Sequence, residues 1–213
     1  MESDSGSRLS SFLENPKKAL WTLAVPIMFG MGIHTLYNIV DMLFIGRLGG
    51  DAIAGVAFNM PIFFLMLGLT MGLGSGVTAS IARLIGQKNK SGADNSAEHA
   101  IAMAACISGV FTLLGLYYGK DILAIFGAEG NILTLGWDYL SMIVLGLPFM
   151  VFSGFFRSIL AGEGDMKFPM MVAGLGTILN IILDPIFIFN LEDYGNIGLG
   201  MGVKGAALAT VVS

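Results

Sequence analysis

Charge is scarce in this sequence. Only 12% of its 213 residues are Asp, Glu, Lys or Arg, about half the share of roughly 25% usual in soluble domains. Cysteine is scarcer still: Cys106 alone excludes an internal disulfide framework and any cysteine-based metal cluster. Set in Ala-Ala-Cys-Ile-Ser, it reads as a small core residue. No cleavable leader is expected either, because the first fifteen residues are polar and no apolar stretch precedes Pro16. The first spanning helix is therefore expected to act as its own insertion signal.

What is present is apolar. Hydrophobic residues make up 55% of the chain, and the mean hydropathy of +0.79 marks an integral membrane protein. The formal net charge of -4 says little, since in a spanning protein the placement of charges matters more than their sum. The expected fold is all-α. Residues 1–15 read as a Ser- and charge-rich cytoplasmic tail, and 16–213 as a transmembrane lobe with spans at about 18–45, 52–85, 97–118, 135–160 and 168–189. A sixth begins near Gly202 and stops at Ser213, too short to cross roughly 30 Å of hydrocarbon, so the chain is expected to be part of a longer protein. Pro61 should kink the second span, and Pro148 lies near the middle of the fourth. Gln87–Glu98 reads as a polar loop.

Basic residues set the expected orientation. With the N-terminus inside, Arg8, Lys17, Lys18, Arg83, Lys88, Lys90, Arg157 and Lys167 fall on the cytoplasmic side, against Arg47, Lys120 and Lys204 outside. That excess favours a cytoplasmic N-terminus. Tyr117, Tyr118, Trp137 and Tyr139 then collect at the outer interface as an aromatic belt. Small residues recur every four positions at Gly68, Gly72, Gly76 and Ser80, and again at Ala100, Ala104 and Ser108, which predicts two flat ridges for close helix packing.

Against this background a few polar residues stand out. Asn180 and Asp184 lie four apart within an apolar run, so an amide and a carboxylate share one helical face. A carboxylate there costs about 2.5–3.5 kcal/mol even on lenient insertion scales. The first span carries its own stripe, His34, Tyr37, Asn38 and Asp41, with Asp41 inside Ile39–Ile45. Parallel first and fifth spans would put Asp41 and Asp184 at similar depth, around one cavity with Asn180. Two carboxylates that close do not both ionise readily, so the pair should hold a shared proton or a monovalent cation such as Na⁺. Pro185 frees a carbonyl in the preceding turn, as a ligand or a bending point.

Four blocks of sequence resemble the multidrug and toxic compound extrusion (MATE) transporters. They are Tyr37–Gly46, Arg157 through Gly162-Glu-Gly-Asp165 to Pro169, Asn180-Ile-Ile-Leu-Asp184-Pro-Ile-Phe-Ile-Phe, and Gly202-Val-Lys-Gly-Ala-Ala-Leu-Ala-Thr-Val. The resemblance implies the six-helix N-terminal lobe of a twelve-helix, two-lobe antiporter in the plasma membrane. Such a protein exports amphipathic, often cationic drugs in exchange for H⁺ or Na⁺ and uses no cofactor. It also implies that Asp41, Asn180 and Asp184 form the cation site, that Thr210 is the nearest match to a contributing threonine, and that His34, Tyr37 and Asn38 line the polar cavity. Expected partners are drug molecules, membrane lipid and the second lobe, with no nucleic acid.

Rival patterns are weaker. Gly162-Glu-Gly-Asp165 has the Gly-x-Gly-Asp form of intramembrane aspartyl proteases, but Asp165 sits in a polar loop beside Glu163 and Lys167. Gly200-Met-Gly-Val-Lys-Gly205 matches a dinucleotide fingerprint without any βαβ context. His99 beside Glu98 has no second ligand at metal spacing. A flippase for lipid-linked saccharides, related in fold, would need a cationic cavity, and no Lys or Arg lies in the middle of a span.

Overall fold

Helices account for the described chain, which in this computed structural model comprises residues 17, 21, 28, 32, 35, 38–190 and 198–213. The helical segment 38–46 is α1. Next come α2 (Gly50–Ala57), α3 (Met60–Gly86), α4 (Lys90–Ile125), α5 (Gly130–Glu163), α6 (Lys167–Ile188) and α7 (Val203–Val212). The stretch Gly50–Gly86 and helices α4, α5 and α6 are each long and apolar enough to cross a membrane. The expected tail at 1–15 lies outside the described residues.

Three boundaries differ from the sequence expectations. Pro61 does not kink the middle of a span: it occupies the first turn of α3, where the backbone N–H has no helical partner to lose. The break falls just before it, between Ala57 and Met60. Gln87–Glu98 is not a loop, because the Asn89 side chain accepts a hydrogen bond from the Gly92 N–H and α4 starts at Lys90. The same helix runs on past Lys120 and Asp121 to Ile125. Hydrophobicity marks where lipid ends, whereas a helix continues until a cap or glycine stops it.

Helix α5 is the axis of the bundle, packing against α2, α3, α4 and α7. Its contacts with α3 are parallel: Gly154 lies against Thr70, Gly74 against Ser158, and Gly162 against Ile81. Against α4 they are antiparallel, with Gly119 under the Trp137 ring and Gly115 against Val144. The Ala100, Ala104 and Ser108 ridge is fully covered here and joins a core with Leu147, Val151 and Phe155. The α3 ridge behaves differently. A Cβ added at Gly68, Gly72 or Gly76 would meet nothing within 4 Å, so this ridge faces outward from the described bundle.

The aromatic residues also separate. Tyr117 and Tyr118 are well exposed. By contrast, Trp137 packs on the cluster of Leu123, Ala128, Leu140 and Val144, and Tyr139 on a cluster containing Ile45 and Ile188.

Candidate functional site

Two helices bring the polar residues together from opposite ends of the sequence. Phe44 of α1 meets Phe189 edge-on at 6.0 Å between ring centroids. Ile45 and Ile188 share a buried cluster with Ala52, Val56, Val203 and Ala206. The ring contact and the shared cluster set α1 beside the end of α6, and one turn back from this cluster lie Asp41 and Asp184. Asp41 is near enough for its charge to act on Asp184.

Asn180 and Asp184 are both fully buried. The Asn180 Nδ2 donates to Asp184 Oδ1 at 3.3 Å, as their four-residue spacing requires. That bond leaves three oxygens, Asp41 Oδ1, Asn180 Oδ1 and Asp184 Oδ2, buried and without a hydrogen-bond partner among the described residues. Buried polar atoms are nearly always paired in folded proteins, so three orphans on neighbouring side chains mark a place for a bound species. All three are oxygens, two of them on carboxylates, a donor set suited to a proton or a hard monovalent cation.

Helix α7 packs against α6. The residues after 198 donate into the end of α6: Leu199 N–H to Ile186 carbonyl, Gly200 to Phe189, Met201 to Phe187 and Gly202 to Ile188. These are the carbonyls a helix end leaves without partners. Gly200 and Gly202 take positive φ of 60° and 58° to make that turn. At Gly205 a Cβ would collide with the Phe187 carbonyl, so α7 crosses α6 backbone to backbone. The glycine pattern that mimics a nucleotide fingerprint thus serves to end α6 and seat α7. Lower down, Gly176 faces Ser213. Between these two crossings Thr210 falls level with Asn180; it is half-buried and its hydroxyl donates to the Ala206 carbonyl at 3.0 Å.

The remaining polar candidates are less gathered. Asn38 is exposed on α1, one turn before Asp41. His34 and Tyr37 lie outside the described residues. Asp165 is exposed, and its Oδ1 accepts the N–H groups of Lys167 and Phe168 at 3.0 and 3.2 Å, which caps the start of α6. It is nowhere near the second carboxylate that a protease dyad needs. His99 Nδ1 is bonded to its own helix at the Asn95 carbonyl. Among the described residues, no group of three His, Cys, Asp or Glu gathers at metal-binding distance.

Two further residues have structural roles that the sequence reading did not assign. Tyr139 belongs to the buried face of α5, one turn after Gly136, and packs on the cluster that roofs Asp184. The spacing Gly136, Tyr139, Leu140, Ile143 is the signal that separates it from an interfacial belt. Asn59 is 4% exposed in the break before α3 and donates to the carbonyls of Gly55 and Gly136 at 2.8 and 3.1 Å. It staples α2 to α5 where both backbones come closest.

The MatE family profile matches residues 26–186. Among curated proteins, the chain is 32% identical over 199 residues to the multidrug export protein MepA of Staphylococcus aureus, covering 92% of this chain and 42% of MepA. It is 28% identical over 196 residues to an FAD transporter of Shewanella oneidensis, again covering 92% and 42%. Among solved structures, a MATE protein in complex with MaD3S superposes with a TM-score of 0.82 at 37% identity, over 92% of this chain and 43% of that one. The chain therefore spans less than half the length of the relatives it matches.

Proposed function

The chain belongs to the MatE family of multidrug and toxic compound extrusion transporters, and from that membership we propose that it is the N-terminal lobe of a cation-coupled drug antiporter. The observation that carries the reading is the trio of partnerless buried oxygens on Asp41, Asn180 and Asp184. In the proposed cycle the carboxylates take up H⁺ or Na⁺ from the outer side, with Asn180 holding Asp184 in place through its amide. The bound cation neutralises a pair that is unfavourable when both members are charged. Its release to the cytoplasmic side is coupled to export of an amphipathic cation through alternating access, which requires a second lobe moving against this one. Thr210, level with Asn180, supplies a further oxygen. His34, Tyr37 and Asn38 line the cavity on the α1 side. The open Gly68, Gly72 and Gly76 ridge supports the need for a second lobe, because helices pack closely on such ridges and nothing in the described bundle covers it. The membrane is the plasma membrane, with the N-terminus cytoplasmic.

Efflux of a lipophilic cationic dye from cells expressing the whole protein, measured across external pH and Na⁺, tests this reading. Efflux should depend on one of the two ions and collapse in Asp184→Asn. Ion-independent efflux would sink the coupling. FAD, for which the Shewanella relative is named, is the anionic comparison: export of FAD in place of the dye would overturn the cationic substrate class.

A further inference from the structure

The turn between α3 and α4 carries three cations that the cation site does not use. Arg83, Lys88 and Lys90 fall within eight residues and are all exposed. The turn is tight, with Lys88 N–H bonded to the Ile85 carbonyl and Asn89 N–H to that of Leu84. Two carboxylates lie on the adjoining helix, Asp94 and Glu98, one and two turns beyond Lys90. Neither pairs with Arg83, Lys88 or Lys90. The ion pair that does form among the described residues, Lys204 with Asp138 at 3.1 Å, lies at the opposite end of the bundle.

Beside these cations runs a groove of about 480 Å³ lined by Ala79, Ser80, Arg83, Leu84 and Gln87. Its residues recur at three- and four-residue spacing, so they form one face of α3. Ser80 Oγ lies 3.1 Å from Ser96 Oγ and closes the groove against α4. The wall is mixed: Arg83, Ser80 and Gln87 offer donors, while Ala79 and Leu84 are apolar. Next to it Ile85 is 42% exposed. The groove thus runs from a cationic rim into an apolar face at the end of a membrane-spanning helix.

We propose that this turn binds the headgroup of an anionic phospholipid, with Arg83 and Lys88 taking the phosphate and the groove beside α3 taking the glycerol and upper acyl chain. Basic pockets at the ends of membrane helices recognise such headgroups, and each surface cation adds to the attraction. Arginine also offers a planar fork that fits two phosphate oxygens at once. A free phosphate would satisfy the rim alone and leave the apolar wall unused.

The test uses the whole protein in neutral detergent, titrated with phosphatidylglycerol, phosphatidylcholine or inorganic phosphate, with bound lipid counted by native mass spectrometry. Phosphatidylglycerol should bind at least about tenfold more tightly than phosphatidylcholine, and the double variant Arg83→Gln/Lys88→Gln should lose about thirtyfold. Lys120→Gln, an exposed cation at the other end of α4, should bind as the parent does. Both substituted side chains are exposed and unpaired among the described residues, so the double variant should fold, and an unchanged thermal midpoint without lipid checks this. Equal retention of phosphatidylglycerol by the double variant overturns the site. So does equal binding of the two lipids. Displacement of phosphatidylglycerol by millimolar inorganic phosphate assigns the rim to a free anion and overturns the lipid.

Discussion

Helix α6 carries an aspartate at each end, and the two could hardly be treated more differently. Asp165 stands just before the helix, exposed, with one oxygen taking two backbone N–H groups. Asp184 lies in the last turn but one, fully buried, with one oxygen held by Asn180 and the other unpartnered. The first carboxylate completes a helix start. It does so at the N-terminus, where a negative charge also suits the helix dipole. The second does nothing for α6 as a helix, and its burial opposes folding. A costly group with no structural return is where function is to be sought.

The sharpest way to break this contrast is Asp184→Asn. The amide keeps the size and a hydrogen-bond partner for Asn180 but removes the charge that the proposed cycle titrates. Coupled efflux should fall to background while expression and membrane insertion stay at the level of the parent. Efflux at the parent rate, at matched expression, would show that Asp184 is buried for some other reason.

Asp41→Asn should come close behind. Asp41 is half-buried and has its own orphaned oxygen, so the pair loses one of its two carboxylates in either variant. The two single variants and the double variant should then be equally inactive, because each alone already removes the charge pair. A double variant markedly worse than both singles would mean that the two carboxylates act at separate sites.

A third change probes what holds the Asp184 end together. Gly205→Val would drive a side chain into the Phe187 carbonyl, at the crossing that seats α7 on α6. Overpacking of this kind costs about 1–3 kcal/mol. The expected result is a lower thermal midpoint together with weaker coupling to the ion. Loss of stability with normal ion coupling would separate the crossing from the site.

The distinction between the two aspartates was partly legible before any coordinates. Apolar neighbours on every side of Asp184 announced its burial, and Glu163 and Lys167 announced that Asp165 is solvated. Helical spacing also paired Asn180 with Asp184. The approach of Asp41 to Asp184 was also foreseen from their depth, but which small-residue faces meet within the lobe was not. The ridges of α3 and α4 read alike as every-fourth small residues, yet one is sealed against α5 and the other faces outward. Nothing local distinguishes a ridge that meets its own lobe from one that does not. The start of α4 escaped for a related reason: Lys90 and Glu98 look like a loop on a hydropathy scale but are good helix formers once Asn89 caps the helix. Tyr139 was grouped with the interfacial aromatics although its spacing from Gly136, Leu140 and Ile143 puts it on a packing face, and Asn59 was missed because it acquires meaning only from the helix packed against it.

The smallest effect is expected at Asp165. Asn at this position retains the oxygen that accepts from Lys167 and Phe168, and Asn is about as good a capping residue as Asp. Only the interaction of the charge with the helix dipole is lost, on the order of 0.3–1 kcal/mol at an exposed site and less in salt. Asp165→Asn should therefore transport within experimental scatter of the parent and lose little in thermal midpoint. Asp165→Ala should lose more, since it removes the cap itself and leaves two N–H groups to water. The order Ala below Asn, with Asn near the parent, identifies a cap. An Asn variant as inactive as Asp184→Asn would instead mean that the charge at 165 is required, and would return Gly162-Glu-Gly-Asp165 to consideration as a reactive motif.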